Sequence, residues 1–222
     1  MYIFVLLGLL LGVPVVWKFR EKAGTGKGGA VLLCVLYSVC SVIAAMLFAH
    51  LESLISSGEG ANGGAISTYG IYFFGSLMMF GIAKGMKWKT AGVMDLYALY
   101  AMPSFFMLRI NCLRAGCCGG LPMFDTGLNW PTRETELIFY AVMFVIFLQL
   151  LRKDKRQGQL FPILMVSYGC FRFVNQWFRD DGTAGFHMSH GWSILCAVIG
   201  VSLLLELRAQ AAKKENKRTK KH

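Results

Sequence analysis

Arg109, Arg114, Arg133, Arg172 and Arg179 are the residues whose type and position point first to chemistry. They lie at the edges of apolar runs or in the links between them, and Arg172 lies within one. A guanidinium offers a planar fork that grips a phosphate or carboxylate through two parallel hydrogen bonds. A charge inside an apolar membrane segment costs at least about 2.5–3.5 kcal/mol on insertion scales, so it usually faces a cavity and a partner. For Arg109 and Arg172 the plainer alternatives are snorkelling to headgroups and a structural pair with Glu136. Tyr168, Arg172, Gln176 and Arg179 recur at i, i+4, i+8 and i+11, which puts them on one helix face. A polar face on a membrane helix implies a polar cavity.

Other groups could act beside them. Glu136 is either a general base or a counter-ion for an arginine. Tyr69, in Ser67-Thr68-Tyr69-Gly70, can orient a headgroup but is a poor base at neutral pH, its reference pKa being about 10. The chain has 7 cysteines, and Cys112, Cys117 and Cys118 share one short segment. They read as small packing residues first, then as a disulfide between Cys112 and Cys117, then as a catalytic thiol, and last as a metal site. Zinc takes about four ligands and only three cysteines are local. Cys34, Cys40, Cys170 and Cys196 read as packing residues. His187 and His190 are expected in a solvent-facing loop. No metal site and no cofactor is expected, and no glycine-rich phosphate loop follows a strand.

The elements that must position these groups are apolar. The chain is 55% hydrophobic and 16% charged, against about 25% charged in a soluble domain. Apolar runs span approximately 1–17, 30–50, 66–83, 91–108, 136–151, 160–178 and 190–207. A bilayer-spanning helix needs about 20 such residues. The reading is an all-α integral membrane protein with about seven transmembrane helices in one polytopic domain, residues 1–210, and a basic cytoplasmic tail, 211–222. Lysine and arginine cluster after the first run (Lys18 to Lys27), at Lys84 to Lys89, at Arg152 to Arg156 and in the tail. Glu52 and Glu59 occupy a link without lysine or arginine, and Asp180 and Asp181 another. The positive-inside rule then sets the N-terminus outside and the C-terminus in the cytoplasm. The first run lacks a basic segment before it, which favours an uncleaved helix over a signal peptide. The net charge of +11 is explained by topology and anionic lipid, so no nucleic-acid partner is expected. Gly8, Gly12, Gly70, Gly75, Gly81 and Gly169 suit close helix approach.

Three segments carry a resemblance. They are Ser67 to Gly70, Leu108 through Gly120 (L-R-I-N-C-L-R-A-G-C-C-G-G), and Tyr168 through Asp180 (Y-G-C-F-R-F-V-N-Q-W-F-R-D), with Trp130 to Glu136 between the last two. In order and spacing they resemble the prolipoprotein diacylglyceryl transferases of bacterial inner membranes over nearly the whole chain. Arg109, Arg172, Arg179, Gly120, Glu136 and Tyr168 match the family pattern. Tyr69 stands where the family has a histidine, Cys112 an asparagine, and Cys117 and Gln176 a glutamate. The phospholipid-binding half is better kept than the proton-transfer half.

The resemblance implies transfer of a diacylglyceryl group from phosphatidylglycerol to the lipobox cysteine of a prolipoprotein signal peptide, with glycerol phosphate leaving and a thioether formed. It makes Arg109, Arg172, Glu136 and Tyr69 the catalytic candidates. Tyr168, Gly120, Arg179, Gln176 and Cys112 become substrate-binding candidates, with membrane lipid as the surrounding partner. Two other classes compete: a re-purposed phospholipid-binding or transport protein, and a membrane thiol-redox enzyme using the three clustered cysteines.

Overall fold

The computed structural model describes residues 2–55, 67–123, 127–154, 156–180, 185–186 and 188–219. Helix α1 spans Tyr2–Phe19, and a 3-10 turn, Arg20–Ala23, follows it. Helix α2 runs over Lys27–Ile55. A continuous helical stretch then comprises α3 (Thr68–Gly70), a π-turn (Ile71–Gly75) and α4 (Ser76–Gly85). The others are α5 (Thr90–Ala115), α6 (Thr132–Arg152), α7 (Leu160–Gln176) and α8 (Met188–Thr219). Among the described residues there is no strand, only two isolated antiparallel bridges, Gly120 with Arg179 and Pro122 with Asn129.

The apolar runs of the sequence fall largely on helices, but among the described residues five helices are long and apolar enough to cross a membrane: Ile3–Ala23, Lys27–Ile55, Thr90–Ala115, Thr132–Arg152 and Met188–Lys213. The stretch 68–85 is interrupted by the π-turn, and α7 has 17 residues. At about 1.5 Å per residue α7 is roughly 26 Å long, slightly under a hydrocarbon core of about 30 Å. The π-turn is tied to α5. The Ile71 carbonyl accepts from the Ser76 amide, five residues on, and also from the Tyr97 hydroxyl at 3.1 Å. Outward-facing side chains are apolar, among them Leu10, Val35, Ile138, Val145 and Leu205. Lipid removes the cost of exposing them. This is a multi-pass membrane protein.

Small residues set the closest contacts. A Cβ on Gly8 would sit 2.4 Å from the Ser104 Cα, and one on Gly169 would sit 2.6 Å from the Ser193 carbonyl oxygen. These glycines bring α1 onto α5 and α7 onto α8. Gly81 meets nothing within 4 Å, so it makes no such contact.

One end of the bundle gathers the basic links. The Lys89 amide donates to the Ala23 carbonyl at 3.0 Å, and Lys22 pairs with Asp154. That bond from Lys22 holds the exposed Asp154 carboxyl below the usual carboxylate range. Beside them the buried Asp95 of α5 accepts from the amides of Gly158 at 2.5 Å and Leu160 at 2.9 Å, which caps the start of α7.

Several local expectations change. Glu52 lies on α2, not in a link, because the helix continues to Ile55; Glu59 lies outside the described residues. Arg109, Cys112 and Arg114 belong to the last turns of α5. Helix α8 continues through the basic segment to Thr219.

Candidate active site

The opposite end of the bundle collects charge that its helices bury. Glu136 comes from the second turn of α6 and is 1% exposed. Its carboxylate pairs with the Arg109 Nε from the end of α5. It also accepts from Arg172 Nη1 of α7 at 2.5 Å, and the Arg179 Nη1 stands 4.0 Å away. Among the described residues, no other carboxylate forms an ion pair with Arg109 or Arg172. Asn175 donates to the same carboxylate at 3.3 Å and to the Thr132 carbonyl at 3.2 Å, while the Thr135 hydroxyl donates to the Asn175 side-chain oxygen at 3.1 Å. A buried carboxylate needs such compensation, because desolvating it unpaired is costly. Arg109 and Arg172 set two guanidiniums against one carboxylate, a surplus that suits an anion arriving from outside.

Arg179 reaches this cluster by a route that helix periodicity does not describe. Helix α7 ends at Gln176, and the Arg179 amide closes a turn on the Gln176 carbonyl at 3.2 Å. The residues beyond are drawn onto the 116–131 link. Gly120 bridges to Arg179, the Leu121 amide donates to the Phe178 carbonyl at 2.9 Å, and the Asp180 amide to the Gly119 carbonyl at 3.0 Å. Trp130 packs on Phe178 with ring centroids 4.5 Å apart. Gly120 is required there: a Cβ would lie 2.1 Å from the Trp130 carbonyl oxygen.

Below the arginines lies an aromatic floor. Tyr168 stacks on Tyr72 at 4.6 Å and lies within 6.1 Å of Tyr140 and 5.9 Å of Tyr69. The Tyr69 hydroxyl bonds to Ser193 Oγ at 2.7 Å and donates to the Ser189 carbonyl at 3.0 Å, tying α3 to α8. Gln176 is buried at the end of α7. A groove of about 810 Å³ starts at Tyr72 and runs along Phe73, Met94, Phe161, Met165 and Leu203 toward the basic end.

The five arginines of the sequence therefore divide. Arg109, Arg172 and Arg179 converge, whereas Arg114 is exposed over the Phe4 ring at 5.5 Å and Arg133 donates to the Cys117 carbonyl at 3.4 Å. His190 is buried on α8 against Phe173, Trp177 and Phe186, not solvent-facing, and His187 lies outside the described residues. Cys170, expected to pack, is exposed on α7. Glu52 was assigned only to topology by its sequence context. It stands beside Ser67 and within electrostatic reach of Arg172. Only helix α2 extending to Ile55 could have signalled that.

Cys112, Cys117 and Cys118 are free thiols whose sulfurs lie within 4.8 Å of one another. The Arg109 Nη1 is 3.9 Å from the Cys112 sulfur. The Cys118 thiol is held below the ordinary thiol range, first by its hydrogen bond with Cys112 and then by the charges of Arg179 and Arg109.

The sequence also matches known proteins over most of its length. The family model for prolipoprotein diacylglyceryl transferase matches residues 2–206. A phosphatidylglycerol–prolipoprotein diacylglyceryl transferase of Clostridium tetani (strain Massachusetts / E88) is 22% identical over 217 residues, covering 88% of this chain and 87% of that protein. One from Paracidovorax citrulli (strain AAC00-1) is 36% identical over 92 residues, 37% of this chain and 33% of that protein. A second type from Clostridium perfringens (strain 13 / Type A) is 24% identical over 169 residues, 69% of this chain and 66% of that protein.

Proposed function

The chain belongs to the prolipoprotein diacylglyceryl transferase family, and on that premise we propose that it transfers the diacylglyceryl group of phosphatidylglycerol to a prolipoprotein. The acceptor is the lipobox cysteine of the signal peptide. The convergence of Arg109, Arg172 and Arg179 on the single carboxylate of Glu136 carries this reading.

The headgroup phosphate of phosphatidylglycerol is an anion and enters a pocket with surplus positive charge. Arg109 and Arg172 grip it, and Arg179 closes over it from the bridge with Gly120. The acyl chains lie in the apolar groove that begins at Tyr72. As the acceptor thiolate attacks the glyceryl carbon, the carbon–oxygen bond breaks and negative charge gathers on the departing glycerol phosphate. Fixed guanidiniums in a water-poor site stabilise that charge without reorganising. Glu136 sets the arginines in place; with its carboxylate shared among them it acts as counter-ion rather than base. Tyr168 and Gln176 line the floor and wall of the pocket, and Tyr69 orients the headgroup side through its bond to Ser193.

Seven membrane crossings follow on this reading, with α3, the π-turn and α4 forming one of them and α7 another. The arginine end faces outward and the Lys22–Asp154 end the cytoplasm, in a bacterial inner membrane. Residues 1–210 act as one domain, with the basic tail at the inner surface.

The test is a lipidation assay. Purified protein in phosphatidylglycerol membranes is mixed with a lipobox peptide bearing one cysteine, and mass spectrometry follows the diacylglyceryl thioether. A product that disappears in Arg172→Ala is expected. Bound phospholipid with no product would overturn the transferase reading and leave a lipid-binding protein.

A further inference from the structure

Zinc takes about four ligands, and only three cysteines cluster here. Geometry supplies a different count. Structural zinc sites are closed by four protein ligands, whereas catalytic ones keep three and leave a position open. Cys112, Cys117 and Cys118 present three sulfurs mutually within 4.8 Å. Thiolates about 2.3 Å from a tetrahedral zinc lie roughly 3.8 Å apart, so closing onto an ion needs a movement of about 1 Å.

The frame that holds them is fixed. Cys112 sits on the last turns of α5, and Gly116 ends that helix with φ +70°. Cys118 adopts φ 59°, uncommon outside glycine, which turns the chain back toward Cys112. The Cys117 and Cys118 carbonyls are each anchored from α6, by Arg133 at 3.4 Å and Thr132 at 3.3 Å. No histidine or carboxylate joins the group among the described residues, and an all-sulfur donor set selects thiophilic ions. Three thiolates around a divalent cation carry one net negative charge. The Arg109 guanidinium, 3.9 Å from the Cys112 sulfur, offsets it. Cys117 is exposed and Cys112 adjoins Arg109, so the group borders both solvent and the arginine pocket.

We propose that Cys112, Cys117 and Cys118 bind one zinc-class divalent cation as three thiolates, and that the open position takes the acceptor thiol. The second half rests on the transferase reading; the first stands without it. The acceptor thiol displaces a metal-bound water and its proton passes to bulk water at the exposed mouth. Its sulfur, held as thiolate, donates a lone pair to the glyceryl carbon. The carbon–oxygen bond breaks, and its electron pair leaves with glycerol phosphate. The neutral thioether then gives way to water. The ion thereby supplies what Tyr69 does not, a means of keeping the acceptor deprotonated at neutral pH.

The experiment uses the full chain, reduced and oxygen-free in phosphatidylglycerol nanodiscs, titrated with cobalt(II) and then zinc(II). One cobalt per chain, with intense near-ultraviolet sulfur-to-cobalt charge-transfer bands that one equivalent of zinc abolishes, is expected. Cys112→Ser, Cys117→Ser and Cys118→Ser each weaken binding by at least 100-fold, while Cys170→Ser, elsewhere on α7, retains it. Thermal unfolding of each variant separates metal loss from misfolding, and exposed Cys117 is the position least able to disturb the fold. Three results overturn the metal site: absent bands in the unaltered chain, bands that survive all three folded variants, or a chain that stays two hydrogens lighter from an internal disulfide under reduction. A cysteine lipobox peptide then shifts the cobalt bands and its serine analogue does not; identical spectra overturn the open-position assignment. A spectral shift with no lipidated product would leave this inference standing and fail the transferase reading.

Discussion

The two ends of the bundle each bury a carboxylate and satisfy it differently. Asp95 at the basic end accepts from two backbone amides, Gly158 and Leu160, and the arrangement is complete in itself. Glu136 at the other end shares one charge among Arg109, Arg172 and Arg179. The first carboxylate closes a helix end, while the second leaves surplus positive charge in a pocket floored by Tyr168. On the proposed function, structure and catalysis thus use the same group type, and the partner set tells them apart.

Arg172→Ala breaks the comparison most sharply. It removes transition-state stabilisation and is expected to lower the rate of thioether formation by about 10²–10³-fold in the lipidation assay. Arg172→Lys should stay within about tenfold of Ala, because an ammonium lacks the planar fork. Full activity in both variants would remove the arginine pocket from the chemistry.

Glu136→Gln leaves Arg172, which is buried, and Arg109, which is largely so, with no carboxylate in contact. A buried pair broken in this way costs about 3–5 kcal/mol, so thermal unfolding should show a large loss of stability together with weakened activity. A stable and active variant would mean that the arginines are set by something else.

Asp95→Asn sharpens the contrast from the other side. One amide loses its acceptor, at a cost of about 1–3 kcal/mol. The melting temperature should fall while the activity of the folded fraction stays unchanged. A catalytic defect in folded Asp95→Asn would erase the distinction between the ends.

Smaller effects follow at the margin. Tyr69→Phe removes two hydrogen bonds to α8 and should reduce the rate by less than about tenfold, in keeping with net hydrogen-bond strengths near 1 kcal/mol. A loss as large as that of Arg172→Ala would put the hydroxyl in the reaction itself. Arg114→Ala, at an exposed site over Phe4, should change neither rate nor melting temperature.

By itself the sequence determined the helical membrane class. It also marked Arg109 and Arg172, with three other arginines, as charges that topology does not explain, because burying apolar runs in lipid and penalising buried charge are properties of local composition. The family resemblance was legible too, in the order and spacing of short motifs. Tertiary structure decided which arginines meet. Arg179 joins through a bridge to Gly120, and Arg114 points away, although both looked alike as outer arginines. It also decided that Glu52 extends a helix toward Arg172, that His190 is buried among aromatic rings, and that three cysteines up to six residues apart bring their sulfurs together. Convergence of this kind depends on helix rotation and on the path of a link pinned by a few backbone bonds. Neither quantity is written in hydropathy, which records only what each residue prefers and not which residue it will face.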